Sequence, residues 1–497
     1  MEKLDSEPPW QTKASNYLRV AVIGNVDSGK STIVSVLSKG ILDDGRGSAR
    51  TRISNYAHES ENGKTTSITH EIVGFDSKGN QVLPDPNIAS KNKTWQDVGL
   101  NSSKIVSMID LCGHEKYLKT TMLGMVSLVP DYAMIVISAN LGISRMTKEH
   151  LGIALALRIP FFVVITKVDM VPEEVTKSTI TQLSKLLNAS VVNKRALVVD
   201  YDQTLTAFKN SIETNDNISE TIKEKSIKTY LKSESSTTQT ETIAKVSTMV
   251  KSDRVCPIFL ASSTHGYGIP QIVNFLGKVE SRSTDNNAFG TPTQPIEYDI
   301  HETFMVHGAG FVVSGLVKAG TIKTGQTLTL GPDELNSTKQ VMVKSIFFNR
   351  IPVSEGRPGQ FCTLALKAIK KKDELTRKDF RKGAVLLDGH APPKFSIGFE
   401  ASVSVLHHAT TIKSGYECMF HSGVVRQAIK IVSMDKELLR TGETSQVKFK
   451  FLYRPEFIKQ DAPFLMREGR TKILGVITKL IYSKEEMQTS GSSKIFN

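Results

Sequence analysis

Two patterns of apolar residues divide the chain near residue 290. Before that point, short β-branched, apolar runs alternate with stretches that have helical spacing of apolar positions. Strands are predicted over 17–23, 105–110, 132–138, 161–166 and 256–261, and helices over 30–38, 117–128, 147–157 and 270–276. This alternation is typical of a doubly wound, mostly parallel sheet, in which ligands bind beyond the carboxyl ends of the strands.

After residue 290 the chain contains only short β-rich runs separated by Gly and Pro, which predicts two all-β barrels. The composition of 281–295 and the sequence at 390–393 are typical of linkers. The predicted organisation is a tail at 1–16, an α/β domain at 17–283, β-barrels at 291–388 and 396–484, and a tail at 485–497.

Two polar segments interrupt the α/β pattern and are predicted to be insertions. The first, 80–103, is rich in Asn, Ser, Lys and Pro and is expected to be a surface insertion. The second, 177–251, contains a low-complexity run at 233–242, which we expect to bury too little apolar surface to stay rigid. Its beginning, 181–187, has a pattern that would extend a helix.

The charge balance favours a polyanionic partner. Among 497 residues, 63 Lys and Arg oppose 50 Asp and Glu, for a net charge of +13. Many of the cations lie at 367–382, a run interpreted as a solvated loop. The four cysteines form no C-x-x-C motif, which indicates a cytoplasmic protein without zinc or disulfides. Neither an apolar run of 18 residues nor an apolar N-terminal core is present, so we expect no membrane span and no signal peptide.

The candidate chemistry begins with residues 24–31, which read G-x-x-x-x-G-K-S between a predicted strand and a predicted helix. In this context, backbone N–H groups and the positive end of the helix dipole surround an anion. Lys30 would reach the β- and γ-phosphates of a nucleotide, and the Ser31 hydroxyl would bind Mg²⁺.

Two further loops carry candidate phosphate and metal chemistry. Asp110 ends a predicted strand and can hold Mg²⁺ through a water, while Gly113 lets its backbone N–H approach the γ-phosphate. His114 follows and would face an attacking water. Thr65 and Thr66 lie in a polar loop, and the hydroxyl of either residue could complete the Mg²⁺ coordination.

Two more strand ends would recognise guanine. The Asp169 carboxylate would accept two N–H bonds that adenine does not offer, and the Lys167 stem would pack on the base. The backbone of 262–264 would contact the guanine O6. The candidate nucleotide-binding residues are Asn25, Val26, Asp27, Ser28, Gly29, Lys30, Ser31, Thr32, Gly113, Thr166, Lys167, Asp169, Met170, Ser262, Ser263 and Thr264; the candidate metal ligands are Ser31, Thr65 and Asp110; and the candidate catalytic residue is His114.

Together, these five motifs resemble those of a GTPase, and a histidine directly after D-x-x-G is similar to the translational GTPases of the elongation factor Tu and 1-alpha kind. Longer stretches resemble the GTP-binding protein 1/2 family, and the resemblance extends from about residue 17 to 481. These stretches include 45–50, 113–121, 146–151, 312–315, 405–408 and 467–472.

The resemblance implies a P-loop GTPase domain followed by two barrels, in a monomeric protein that binds GTP or GDP with Mg²⁺. It also implies that Thr65 is the switch threonine, that His114 positions the hydrolytic water, and that the ribosome stimulates hydrolysis while the barrels carry aminoacyl-tRNA. One alternative is a GTP-gated adaptor of ribosome rescue or mRNA surveillance, whose barrels bind a protein such as an mRNA-decay or rescue factor. Another is a GTP-driven activator of a metabolic enzyme.

Three residues depart from the usual pattern of these GTPases. Lys64 replaces an apolar residue beside the switch threonine, so a hydrophobic gate around His114 would be formed on one side only, by Val26. Thr166 replaces the usual Asn, which predicts a weaker tether to the phosphate-binding loop and a weaker part of the guanine contact. Cys112 replaces the usual Pro and is a candidate oxidation point.

Overall fold

The computed structural model describes most of the chain. The described residues are 16–54, 56–88, 90–190, 192–199, 237–250, 254–282, 289–369, 375–376, 380–381, 383–389, 393–469, 471–483 and 485–486. They form two compact units, one built on an α/β sheet and one containing two β-barrels. Within the described residues, no helix is both long and apolar enough to cross a membrane.

The first unit alternates strands and helices. Its strands are β1 (Tyr17–Gly24), β2 (Thr69–Phe75), β3 (Gln81–Val82), β4 (Lys104–Asp110), β5 (Tyr132–Ser138), β6 (Phe161–Thr166), β7 (Arg195–Val198) and β8 (Val255–Leu260). Its helices are α1 (Lys30–Lys39), α2 (Ser48–Thr51), α3 (Ala57–Asn62), α4 (Lys91–Leu100), α5 (Leu118–Ser127), α6 (Arg145–Ala156), α7 (Glu173–Asn188), α8 (Thr237–Met249) and α9 (Ile269–Lys278).

The eight strands form one sheet in the order β3-β2-β4-β1-β5-β6-β8-β7. The strands β4, β1, β5, β6, β8 and β7 run parallel, while β2 and β3 pair antiparallel at one edge. All eight residues of β1 are buried, as expected for a strand covered on both faces by helices. The predicted doubly wound, mostly parallel sheet is therefore confirmed, and its parallel carboxyl ends meet along one edge.

The segment 80–103 is more regular than the predicted surface insertion. It contains the short strand β3 and the helix α4, which packs against β2 through the buried Trp95 and Val98. Two apolar residues on one face of a polar helix are too weak a pattern to be detected from sequence alone.

The segment 177–251 is also partly integral to the sheet. Helix α7 extends across 173–188, and β7 lies parallel to β8 at the edge of the sheet. The predicted low-complexity run overlaps α8, so this part of the prediction was wrong for 237–242. The later turns of α8 carry the buried Ile243 and Val246, which belong to the main apolar cluster and anchor the polar first turns.

The first barrel of the second unit uses nine strands. They are β9 (Glu297–Val306), β10 (Gly310–Ala319), β11 (Ile322–Lys323), β12 (Thr327–Gly331), β13 (Lys339–Phe348), β14 (Ile351–Val353), β15 (Glu355–Gly356), β16 (Phe361–Ala368) and β17 (Val385–Asp388). The order β12-β17-β9-β10-β16-β13 closes into an antiparallel ring because β13 also pairs with β12. β14 pairs antiparallel with β13 at the edge of this sheet, and β11 pairs with β15 in a separate two-stranded sheet.

The second barrel is closed in the order β18-β21-β20-β19-β22-β23. Its strands are β18 (Gly398–His407), β19 (Glu417–Ser422), β20 (Val425–Met434), β21 (Thr444–Phe451), β22 (Pro463–Glu468) and β23 (Thr471–Ile481). Its centre is a cluster of phenylalanines in ring contact: Phe399, Phe420, Phe449, Phe451 and Phe464. Both predicted barrels are thus confirmed.

An ion pair joins the two barrels within this unit. Arg381 Nη1 donates 2.8 Å hydrogen bonds to both carboxylate oxygens of Glu456, and the side chains are 5% and 3% exposed. Gln427 Nε2 donates to Glu456 Oε1 over 2.6 Å. The interpretation of 367–382 as a solvated loop is therefore wrong for Arg381, while most other cations of that run lie outside the described residues.

Glu456→Ala should destabilise the second unit by about 3–5 kcal/mol, because it leaves the Arg381 guanidinium buried without a counter-ion. Urea-induced unfolding, followed by hydrogen exchange of peptides from β18 and β20, measures this change. The matched control is Glu417→Ala, which removes the exposed pair with Lys430 and should change the free energy of unfolding by less than about 1 kcal/mol. Equal effects of the two substitutions would contradict the importance of the buried pair.

Candidate nucleotide-binding site

The loop between β1 and α1 is held in a tight turn by its own contacts. Ser28 Oγ donates to Asn25 O over 2.9 Å, and Lys30 Nζ donates to the same carbonyl over 2.6 Å. Gly29, the N-cap residue of α1, has φ 82°, a left-handed conformation that favours glycine. The turn therefore presents the N-terminal N–H groups of α1 beyond the end of β1, where they suit an anion.

Gly113 and Lys30 meet at this turn. Lys30 is buried, and burial lowers the pKa of its ammonium group against the opposing effect of Asp110. A Cβ atom at position 113 would collide with Lys30 Nζ, with Gly24 O at 2.7 Å and with Asn25 C at 2.8 Å. Only glycine fits there, because a side chain would collide with the turn itself.

Three side-chain oxygens converge at the start of α1. Ser31 Oγ donates to Asp110 Oδ2 over 2.5 Å and lies 2.9 Å from Thr65 Oγ1. Burial raises the pKa of Asp110 to about 6, although Lys30 and Ser31 oppose this shift. Asp110 Oδ1 is buried and has no hydrogen-bond partner among the described residues. This set of hard oxygen donors fits a Mg²⁺ ion, directly or through water.

The geometry separates the two neighbouring threonines. Thr66 Oγ1 donates to Glu59 Oε1 over 2.9 Å and lies 2.9 Å from His58 Nε2, so it is engaged with α3. Thr65, in contrast, reaches Ser31. The structure therefore favours Thr65 as the threonine of the metal cluster.

Glu59 fixes the segment that carries Thr65. Its Oε1 accepts four hydrogen bonds of 2.8–3.0 Å from the backbone N–H groups and the hydroxyls of Thr66 and Ser67. Burial alone would raise the pKa of Glu59, but these hydrogen bonds outweigh it and hold the pKa below its usual value. The carboxylate is thus charged at neutral pH and was missed by sequence reasoning, because nothing in the local pattern marks it.

The other end of the cleft contains the predicted guanine-binding residues. Asp169 Oδ2 accepts a 3.1 Å hydrogen bond from Thr264 Oγ1 and lies 3.8 Å from His265 Nδ1. Ser262 N donates to Tyr267 O over 2.9 Å, which shapes the turn after β8. The structure therefore brings the loops after β6 and β8 together, as two neighbouring parallel strands require.

The Thr166 hydroxyl connects the two ends of the cleft. It donates to Ser28 O over 2.7 Å, and Thr166 Oγ1 lies 3.5 Å from the position of a Cβ at Gly29. The shorter side chain therefore still supplies a buried donor to the phosphate-binding loop, and its expected weakness relative to the usual Asn stays a prediction.

His114 lines the same cleft. Its Nδ1 accepts a 3.1 Å hydrogen bond from Lys116 N, and its ring lies edge-on to Tyr117 at 6.1 Å between centroids. In the neutral ring this bond assigns the proton to Nε2. The neighbouring Cys112 is buried, and burial, then Asp110, raise the pKa of its thiol to about 12. Cys112 is therefore a poor oxidation point, since reactivity follows the thiolate.

Most predicted site residues surround one cleft of about 280 Å³. It is lined by Val26, Asp27, Gly29, Lys30, Ser31, Thr32, Asp43, Gly45, Arg46, Gly47, Arg50, Gly63, Lys64, Thr65, Gly113, His114, Thr166, Lys167, Asp169, Met170, Ser263 and Thr264. Ser28, Asp110 and Ser262 are buried beside it, and Asn25 contributes the carbonyl that holds Lys30. The sequence analysis did not predict that residues from 43–50 line the cleft. Two arginines among glycines in that segment could have indicated an anion-binding loop.

Family models match both units of the chain. The model of the elongation factor Tu GTP binding domain matches residues 15–281, and that of elongation factor Tu domain 2 matches residues 310–387.

Curated relatives extend the similarity along the whole chain. GTP-binding protein 1 of Xenopus laevis is 39% identical over 95% of this chain and 64% of its own length, so the chain spans slightly less than two thirds of that relative. GTP-binding protein 2 of Mus musculus is 35% identical over 95% of this chain and 71% of its own length. Elongation factor 1-alpha of Methanosarcina acetivorans is 24% identical, with coverage of 89% and 87%.

Two solved structures share the fold. A bacterial selenocysteine-specific elongation factor, EF-Sec, has a TM-score of 0.60 at 18% identity and covers 93% of this chain and 58% of its own. The elongation factor SelB from Methanococcus maripaludis, in complex with the GTP analogue GppNHp, has a TM-score of 0.57 at 16% identity, with coverage of 94% and 80%.

Asp169→Asn should weaken GTP binding by about 10- to 100-fold, because a carboxylate that accepts two N–H bonds is replaced by an amide that offers a donor. Binding of xanthosine triphosphate should improve, since its edge carries an acceptor at that place. Equilibrium titration of both nucleotides against the parent and the variant measures the exchange of preference. Unchanged GTP affinity in the variant would show that Asp169 does not face the base.

Proposed function

We propose that this chain, which belongs to the GTP-binding protein 1/2 family within the elongation factor Tu and 1-alpha superfamily of translational GTPases, hydrolyses GTP to GDP and phosphate on the ribosome. The observation that carries the proposal is the convergence, in one cleft, of Lys30, the Ser31–Thr65–Asp110 oxygens and His114. In phosphoryl transfer the protein supplies little covalent chemistry. Positioning of the reactants and electrostatic stabilisation account for most of the catalysis, and these groups provide both.

The phosphate end of the cleft would bind the β- and γ-phosphates. Lys30 and the first N–H groups of α1 supply positive charge, and the Gly113 N–H approaches the γ-phosphate because no side chain intervenes. Ser31, Thr65 and Asp110 would hold Mg²⁺, which neutralises charge that develops on the phosphate oxygens. The buried Lys30 and Asp110 would then be charged next to partners of opposite sign.

His114 would orient the attacking water. With Nδ1 engaged by Lys116 N, the neutral ring has Nε2–H as its remaining polar group and can donate to a water oxygen. Positioning a water in this way requires no proton transfer to the histidine. Val26 and Lys64 both line the cleft with His114. Val26 would form the apolar side of a barrier in front of the ring, and the stem of Lys64 would cover the other side.

The switch would act through Thr65. With nucleotide bound, a γ-phosphate and Mg²⁺ would hold this hydroxyl, and loss of the γ-phosphate on hydrolysis would release it. The protein-only contacts of Glu59 lie one residue further along the loop, so they keep the segment ready for the next nucleotide.

Aminoacyl-tRNA is the cargo that we propose for the barrels, in a cytoplasmic and monomeric factor. Relatives that align along most of the chain are named elongation factors, and the net charge of +13 favours a polyanion. In addition, Arg467 and Lys472 lie directly opposite each other in the β22–β23 hairpin. Two cations at facing positions of one hairpin would suit an RNA phosphate.

One observation favours the alternative of a GTP-gated adaptor that binds a rescue or mRNA-decay protein. Phe304, Met305 and Val306 are consecutive, exposed apolar residues at the end of β9. Apolar patches of this kind are typical of protein-binding surfaces. A filter-binding assay with charged and uncharged tRNA, in GTP and in GDP, separates the two functions, because only the carrier binds charged tRNA in a GTP-dependent manner.

His114→Ala should leave GTP binding and cargo binding near those of the parent, because the ring would contact the attacking water and not the nucleotide or the cargo. Ribosome-stimulated turnover should fall by a factor on the order of 10² or more, in the range that a positioned group contributes. Single-turnover hydrolysis with and without ribosomes measures the loss.

Lys30→Ala is the control for His114→Ala and should lose nucleotide binding itself. If His114→Ala hydrolyses GTP at the stimulated rate of the parent, another residue positions the water. If the parent shows no stimulation by ribosomes, the translational function is wrong.

Arg467→Ala with Lys472→Ala should weaken RNA binding and reduce the slope of log affinity against log salt by about 1 for each phosphate that the variant no longer binds. Titration of charged tRNA over a range of salt concentrations measures the slope. Lys430→Ala removes one charge from an ion pair in the same barrel and should leave the slope unchanged. A slope equal to that of the parent in the double variant would exclude the hairpin as an RNA-binding element.

A further inference from the structure

We infer that Arg50 binds the γ-phosphate of bound GTP, as an arginine supplied by the chain's own loop between α1 and β2. This inference rests on the proposed function, since it requires GTP in the cleft. It adds a residue that none of the five nucleotide-binding motifs contains, and it explains why the loop between α1 and β2 is built around a guanidinium.

The loop that carries Arg50 is held in place by backbone hydrogen bonds. The Asp43 carboxylate accepts from the N–H groups of Gly45, Gly47 and Ala49 over 2.8–3.2 Å. Asp43 N donates to Ser263 O over 2.9 Å, which attaches the loop to the turn after β8. Ala49 belongs to the main apolar cluster and fixes the short helix α2. The side chain of Arg50 is therefore presented to the cleft from a fixed backbone.

Two glycines make room for the guanidinium. A Cβ at position 63 would collide with both terminal nitrogens of Arg50, and a Cβ at position 47 would lie 3.0 Å from its Nε. Arg50 Nη1 donates to Gly63 O over 3.1 Å. The side chain thus occupies a defined place between two segments of the loop rather than extending into solvent.

The charge of Arg50 has no counter-ion in the described part of the protein. No carboxylate there lies within ion-pairing distance of the guanidinium, and Nε is buried without a hydrogen-bond partner. Two acidic residues of the loop are engaged elsewhere, Asp43 with backbone N–H groups and Glu59 with Thr66 and Ser67. Because withdrawing a cation from water without a partner is unfavourable, the position suits an anionic ligand.

The hydrogen bond to Gly63 O brings the Arg50 guanidinium to the segment that carries Thr65. Gly63 is two residues before Thr65, so their Cα atoms lie no more than about 7 Å apart. The Thr65 hydroxyl is 2.9 Å from Ser31 Oγ, at the start of α1. The guanine-binding residues Asp169 and Thr264 belong to the opposite end. Arg50 lines the same cleft as Ser31 and Thr65, and its guanidinium fork matches the geometry of phosphate oxygens.

A simpler interpretation is that Arg50 is only a latch that holds Gly63 O. The two roles differ in what they require. A latch needs one N–H donor, which a glutamine amide can supply, whereas a phosphate contact needs the positive charge. Arg50→Gln therefore separates the two roles, and Arg50→Lys, which keeps the charge without the fork, provides a second variant in case the first is unstable.

The experiment measures the dissociation constants of GDP and of GppNHp for the full chain with Mg²⁺. Arg50→Gln should weaken GppNHp binding about tenfold or more, in the range of a charge-assisted hydrogen bond, and should change GDP binding much less. Arg50→Lys should retain part of the preference for GppNHp. The control is Arg52→Gln, an exposed position on the same loop that does not line the cleft, and it should equal the parent.

Three results would overturn the inference. Parent-like GppNHp affinity in Arg50→Gln would make the residue a latch. Equal losses of affinity for GDP and GppNHp would show that Arg50 does not touch the γ-phosphate. A similar loss of affinity in Arg52→Gln would show that the effect comes from the net charge of the loop and not from a contact of Arg50. Failure of the proposed function looks different, because the parent itself would then bind neither nucleotide.

Discussion

The contact between Ser31, Thr65 and Asp110 is the point on which the rest of the site depends. These side chains come from the start of α1, the loop between α3 and β2, and the end of β4. They meet because β1 and β4 are parallel neighbours in a register that places Val22 beside Asp110, so the loops that follow both strands start at the same edge. The buried core sets this register, since a slip by one residue would turn each apolar side chain to the other face.

Burial makes this cluster sensitive to what it binds. Lys30 and Asp110 are both enclosed, and the pKa of each is shifted toward the neutral form, downward for the ammonium and upward for the carboxyl. The desolvation that causes these shifts also strengthens any interaction with a phosphate or a divalent cation, because the local dielectric constant is low. The same enclosure explains why Gly113 cannot be replaced, since a methyl group would occupy the space of the Lys30 ammonium.

The sequence predicted the parallel strands and the glycine turns well, because buried strands are continuous apolar runs and each motif lies at a strand end. It missed β2 and β7, α4 and most of α7 and α8, whose burial depends on neighbours that are distant in sequence. It likewise missed Glu59 and Arg50. Their importance comes from single contacts, to Thr66, Ser67 and Gly63, that no local periodicity reveals. The sequence also did not reveal that the Thr166 hydroxyl reaches Ser28 O, because that contact depends on how the ends of β1 and β6 lie beside each other.

Two kinds of contact hold the loop between α1 and β2. Glu59 binds Thr66 and Ser67 through contacts within the protein, whereas Thr65 contacts Ser31, a proposed Mg²⁺ ligand, where its partners would change with the nucleotide. A net contribution of about 1 kcal/mol for each hydrogen bond makes the Glu59 contacts comparable to those gained from a γ-phosphate. Under the proposed function, release of the loop after hydrolysis would compete with the Glu59 contacts, which would make the free-energy difference between the two states small. A small difference of this kind is what allows a single phosphate group to decide between them.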